Sequence, residues 1–267
     1  GARGADPNGS GSGQTYVVFG GSVNLAALDT AGGGAADGRI NLSALSGTTG
    51  FVLDGIAAND YFGAVVSSAG DVNGDGFDDL LIGASGADAN GSDSGQSYVV
   101  YGGNFTDSAT QIGTANADTL TGSVAVDILV GGRGNDTLIG NGGVDVLTGG
   151  AGDDVLAVSS TAFARVDGGN GSDTLRLDGS GFSLNLTTLA DSRLTNIETI
   201  DIRGSGANSL TLNLREVLNL TQASTNTTAT SSNILTILRD ADDTVNIGAG
   251  WTQQANEFIG GVWFSVS

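Results

Sequence analysis

The chain has 267 residues, 46 of them glycine and one proline, with no cysteine, histidine or methionine, and its formal net charge is −20. Those absences exclude a disulfide framework, thiolate or imidazole catalysis, and zinc sites of the common kinds. The nine basic residues are isolated arginines that form no patch, which excludes nucleic acid as a partner. Abundant glycine without a triplet period points to many tight turns between short strands. Short apolar strings such as Tyr16-Val17-Val18-Phe19 argue against disorder. A chain so uniformly acidic repels itself unless a cation binds. No apolar stretch approaches the ~20 residues of a membrane helix, so no membrane insertion is expected. The polar opening Gly1–Asp6 has no secretory apolar region, and the lack of methionine reads as a processed chain or a fragment.

In chain order, the first feature is a long repeat. Gly1–Ser10 with Gln14–Gly21 returns as Gly83–Ser92 with Gln96–Gly103. Roughly three-quarters of the aligned positions are identical, a self-similarity that marks one recurring supersecondary unit. Each copy reads as a Gly/Asn/Asp loop followed by a buried strand. Between the copies, Asp71, Asn73 and Asp75 alternate along a turn, Gly76 permits a sharp bend, and Asp79 closes the ring. Oxygen donors at these positions, with a backbone carbonyl at Phe77, suit a hard cation of flexible coordination such as Ca2+. Ile82 stands where an EF-hand carries glutamate, and strands rather than helices flank the loop. A metal-free Asx-rich turn is the simpler alternative.

Phe62-Gly63-Ala64, the Asp71–Asp79 loop and Leu80-Leu81-Ile82-Gly83-Ala84 resemble the FG-GAP repeat of integrin α-subunit propellers and bacterial surface proteins. That resemblance implies a four-stranded propeller blade with calcium in its hairpin loop. The chain holds one whole repeat and the tail of another, too few to close a ring. Either further blades lie outside it, or the orphan strand Thr15–Phe19 pairs with another subunit by strand addition, propagating head-to-tail.

From Gly113 the period shortens to nine. The units begin at Gly113, Gly122, Gly131, Gly140 and Gly149, and after an irregular stretch at Gly168. Glycines allow the tight turn and bring carbonyls close to an ion. The sixth position supplies a carboxylate, and a leucine two residues later (Leu120, Leu129, Leu138, Leu147, Leu156, Leu175) points into a narrow core. The pattern Gly-Gly-x-Gly-x-Asp-x-Leu-x strongly resembles the repeat-in-toxin (RTX) family, implying a parallel β-roll that folds as it binds calcium outside the cell after type I export. With two nonapeptides per turn, Asp118, Asp136, Asp154 and Asp173 line one edge, and Asp127 and Asp145 the other. The expected donors add backbone positions Gly131, Arg133, Gly149, Ala151, Gly168 and Asn170. The best site is expected between the Gly131 and Gly149 loops. The Gly122 and Gly140 loops lack some of the glycines.

Beyond Asp178, alternating apolar positions predict strands at Phe182–Leu186, Ile197–Ile202, Leu210–Leu214, Ile234–Leu238 and Thr244–Ile247, and a hairpin at Gly260-Gly261. Leu214–Leu220 reads as a short helix. Asp240–Val245 echoes the nonapeptide step without its glycines and is read as a turn first, a site second. This third resembles, more loosely, the regions that follow such repeats in large bacterial adhesins, and is expected to continue or cap the roll.

The expected fold is all-β: an FG-GAP blade-like antiparallel sheet (1–110), a calcium-binding parallel β-roll (111–180) and a β-rich C-terminal cap (181–267). No nucleophile–base pair is apparent, and Glu198, Glu216 and Glu257 are scattered, so the chain reads as non-enzymatic. The leading expectation is a secreted or cell-surface structural or adhesive protein. Its expected partners are copies of itself in an oligomer, fibre or surface layer, and a cell-surface or matrix ligand. The alternative is a folding and secretion module of a larger type I-secreted enzyme or toxin.

Overall fold

A computed structural model describes residues 1–20, 22–30, 37–105, 107–221, 235–248, 252–253, 261–262 and 264–265. Two compact units emerge: Gly1–Asn73 with Phe77–Ser108, and Ala109–Ser267 with Gly74–Gly76. Strands dominate both, so the all-β class holds.

In the first unit β1 (Gln14–Val18) pairs antiparallel with β2 (Gly50–Asp54), and helix α1 (Ser22–Asp29) lies between them in sequence. Phe19, Phe51 and Phe105 gather with ring centroids 5.2–6.0 Å apart. A second sheet is formed by β3 (Phe62–Gly70), β4 (Asp79–Ala84) and β5 (Gln96–Val100), all antiparallel. Its core is Phe62, Ile82, Ala84 and Ala87, with Phe62 edge-on to Tyr98.

Two expectations change here. Thr15–Phe19 is not an orphan, because β2 lies far along the chain in a stretch whose alternation is too short to announce itself. The repeated strand β5 is also not buried: it is the edge of a three-stranded sheet, and Val99 is exposed.

The second unit is a parallel coil of short strands. One sheet stacks β6 (Gln111–Ile112), β8 (Ile128–Arg133), β10 (Val146–Ala151), β12 (Arg165–Asn170) and β15 (Leu194–Thr195). The facing sheet stacks β7 (Thr119–Thr121), β9 (Thr137–Ile139), β11 (Val155–Val158), β13 (Thr174–Leu177), β16 (Thr199–Asp201) and β18 (Thr236–Leu238). Both run through residue 180 without a break. From β13 onward a third parallel sheet joins, made of β14 (Ser183–Asn185), β17 (Ser209–Leu212) and β19 (Thr244–Ile247). The two-faced roll thereby widens to three faces, and helix α2 (Leu214–Thr221) packs beside β15. The short pieces β20 (Thr252–Gln253), β21 (Gly261–Val262) and β22 (Phe264–Ser265) follow. The hairpin expected at Gly260-Gly261 lies partly outside the described residues, as does the start of the strand expected at Ile234.

Register explains the core. Leu120, Leu138, Leu156, Leu175, Ile200 and Ile237 align rung by rung along one sheet, and Leu129, Leu147, Val166 and Leu194 along the other; all are buried. Every turn therefore adds one large aliphatic side chain per face, each burial stabilising by about 1.5–3 kcal/mol. The same stacking fixes the corners between the sheets, where the aspartates stand.

Candidate metal centre

At the corner after β8, β10 and β12, glycines in the left-handed region turn the chain: Gly132 and Gly134, Gly150 and Gly152, Gly169 and Gly171. Each turn delivers an aspartate to the same place. Asp136 Oδ1 accepts the Asp118 backbone N–H at 2.8 Å, Asp154 Oδ1 accepts that of Asp136 at 2.7 Å, and Asp173 Oδ1 accepts that of Asp154 at 2.8 Å. On the opposite edge Asp145 Oδ1 accepts the Asp127 N–H at 2.9 Å. The two-edge arrangement is thus a pair of carboxylate ladders, each rung using one oxygen to clip successive turns together.

The second oxygen differs from rung to rung. Oδ2 of Asp136, Asp154 and Asp173 is buried with no hydrogen-bond partner. Asp118 Oδ2 instead accepts the backbone N–H and hydroxyl of Thr114, at 2.6 and 2.8 Å. Asp127 Oδ2 likewise accepts from the N–H and hydroxyl of Ser123, at 2.6 and 3.0 Å. A buried, unpartnered carboxylate oxygen is costly unless a cation meets it.

Electrostatics follow the same division. Burial pushes Asp154 up to about 7 and Asp173 up to about 8, with neighbouring carboxylates adding to the rise. Burial also raises Asp136 and Asp145, while the Thr114 donors hold Asp118 below the usual carboxylate range. Metal-free, the middle of the main ladder resists ionisation; a divalent cation reverses that preference.

The loop glycines let oxygens draw close to one another. A β-carbon on Gly131 would collide with Gly149 O and Asp136 Oδ2, one on Gly149 with Gly168 O and Asp154 Oδ2, and one on Gly168 with Asn196 O and Asp173 Oδ2. Carbonyls of the loop-opening residues therefore stack beside the unpartnered carboxylate oxygens. The other expected backbone donors lie in the same turns. Ala151 O and Asn170 O accept the N–H of Gly134 and Gly152, at 2.8 and 2.9 Å, and Arg133 pairs in register with Ala151. Each of those carbonyls keeps a second lone pair. Among the described residues no three acidic side chains converge as a cluster. The roll instead brings carboxylates from successive loops beside backbone carbonyls, an all-oxygen set of the kind Ca2+ takes.

Two family models match the chain: the FG-GAP repeat over residues 62–100, and the RTX calcium-binding nonapeptide repeat (4 copies) over residues 121–156. The chain carries RTX calcium-binding repeats. Calcium is the cofactor of this RTX roll, and the unpartnered oxygens of Asp136, Asp154 and Asp173 fit it. No curated protein and no solved structure matches the chain.

The FG-GAP match takes in the hairpin loop between β3 and β4. Asp71, Asn73, Asp75 and Phe77 are part-buried in it, and Gly74 and Gly76 adopt positive φ of 73° and 82°. Asp79 is fully buried; its Oδ2 accepts the Val72 N–H at 2.9 Å and its Oδ1 the Gly102 N–H at 2.7 Å. It ties the loop to the segment that follows β5.

Two groups have roles that the sequence reading did not give them. Asp243 Oδ1 accepts the Asn208 N–H at 2.8 Å, and Asn208 Oδ1 accepts the Phe182 N–H at 2.7 Å, forming a third ladder along the third sheet. Asp243 Oδ2 accepts from the Asp240 N–H at 2.8 Å, so both its oxygens are engaged and the Asp240–Val245 segment serves as a turn. The other group is Glu198, whose Oε2 accepts the Asp173 N–H at 2.8 Å. Glu198-Thr199-Ile200 repeats the Asp173-Thr174-Leu175 step, the signal by which it was findable.

Proposed function

We propose that the chain is a secreted, non-catalytic structural module: an RTX roll that folds as calcium binds, carrying an FG-GAP-type sheet through which copies associate head-to-tail. The observation that carries it is an unfilled position in the internal repeat. Gln14 of β1 exchanges two hydrogen bonds with Ala2 on one edge, while β2 occupies the other, as the Phe19 N–H to Thr49 O bond fixes. In the second copy Gln96 of β5 pairs with Ala84, the equivalent of Ala2. The edge equivalent to the one β2 fills has no strand among the described residues. Val65, Leu81 and Val99 are also exposed on one face of this sheet. An open edge beside an apolar face suits strand addition from a second copy.

A non-catalytic role accords with how the buried acids are used. Each of the nine buried aspartates among the described residues accepts a backbone N–H. Secretion accords with calcium-coupled folding, since cytoplasmic calcium is too scarce to fill such sites. No helix among the described residues is long and apolar enough to cross a membrane. Adhesion to a surface or matrix ligand is the role such an assembly would serve.

Sedimentation velocity in millimolar calcium tests this reading. Concentration-dependent association that Val99→Lys suppresses, with the circular dichroism spectrum unchanged, is the expected result. A strict monomer at all concentrations would contradict it and favour a folding and secretion module of a larger protein.

A further inference from the structure

The main aspartate ladder does not end within the nonapeptides. Asp167 pairs with Thr195 and Thr174 with Thr199, which sets Asn196 in register with Gly168, and Glu198 with Asp173. A six-residue loop is thus answered by three residues, Asn196-Ile197-Glu198. Shortening draws the backbone back from the corner, and the extra methylene of glutamate restores the reach: Glu198 Oε2 accepts the Asp173 N–H at 2.8 Å, as an aspartate does on every earlier rung. Asn196 adopts a φ of 55°, a conformation asparagine tolerates better than most residues.

The surroundings are those of a cation site. Asp173 is fully buried and its Oδ2 has no hydrogen-bond partner. Glu198 Oε1, on the next rung, is also buried and unpartnered. The Asn196 carbonyl occupies the place that Gly149 O and Gly168 O hold in the turns before, against the β-carbon position of the loop glycine beside Asp173 Oδ2. Two unpartnered carboxylate oxygens on adjacent rungs, with a carbonyl stacked between the turns, reproduce the donor arrangement of the RTX turns although the Asn196–Glu198 side carries no RTX motif.

We infer that Asp173, Glu198 and the Asn196 carbonyl hold a further Ca2+, beyond the last nonapeptide, at the junction where the roll widens to three sheets. The ion closes the main ladder and ties the RTX roll to its C-terminal coil. An aspartate in this shortened turn would fall short of Asp173, so glutamate is the residue the position requires. The inference rests on calcium occupying the RTX roll itself.

Native mass spectrometry and isothermal titration calorimetry with Ca2+ on the full chain test it. Glu198→Gln keeps an acceptor for the Asp173 N–H but removes the charge. One fewer calcium per chain than wild type, with the calcium-saturated circular dichroism spectrum retained, is the expected result; equal stoichiometry and affinity would overturn the assignment. Should the variant fail to fold, anomalous scattering from calcium-soaked wild-type crystals decides: density between Asp173 and Glu198 supports the site, and its absence there with calcium in the earlier turns refutes it. Wild-type protein that binds no calcium at all would overturn the RTX reading itself as well.

Discussion

Thr114 and Ser123 stand at the second position of their loops, where Gly132, Gly150 and Gly169 stand in later turns. That difference decides what the aspartate does. A hydroxyl and its N–H satisfy Asp118 and Asp127 from within the protein, whereas glycine leaves Asp136, Asp154 and Asp173 each with a buried oxygen that has no hydrogen-bond partner. Replacing Asp136 and Asp154 together with asparagine should therefore lower calcium affinity roughly tenfold or more, of the order expected when charged oxygen donors to a cation are lost. Asp127→Asn should change it little. Calorimetric titration of the two variants checks this, and equal losses would count against the division between the edges.

At the scale of the element, the ladder is a set of coupled acids, and its pH response has a definite sign. Burial and neighbouring carboxylates raise Asp154 to about 7 and Asp173 to about 8 in the metal-free chain. A raised carboxylate stabilises the fold below its ordinary value near 4, and that contribution is lost as pH rises through 7 to 8. In chelator, the roll's circular dichroism signal should thus weaken from pH 5 to pH 8. In saturating calcium the dependence should invert, because protons compete with the ion. A chelated roll that gains structure as pH rises would contradict this.

Much of the element pattern was legible in the sequence, because stacking one leucine and one aspartate per nine residues leaves an unmistakable period. Leu138 stacks on Leu156, and Asp136 on Asp154, for the same reason that they recur. What was not legible depended on contacts far along the chain. The pairing of β1 with β2 joins Val17 to Phe51, across a segment with no repeat to mark it. The third sheet has no glycine-rich signature; Asn208 and Asp243 clip its turns by accepting backbone N–H groups. Glu198 was hidden by its side chain: a longer acid after a shortened loop breaks the motif while conserving the geometry.

At the scale of the whole molecule, the net charge of −20 takes on a structural meaning. Part of it is concentrated in ladders whose aspartates repeat every eighteen or nineteen residues, as their rung-to-rung hydrogen bonds show. Such an arrangement disfavours the folded roll in the absence of cations, and under the proposed function calcium is a component of the fold rather than an accessory to it. Far-ultraviolet circular dichroism at pH 7.5, recorded before and after removal of calcium with a chelator, tests this most directly. Loss of most of the roll's β-signal on chelation, with full recovery when calcium is restored, is the predicted result. A spectrum unchanged by chelation would contradict it.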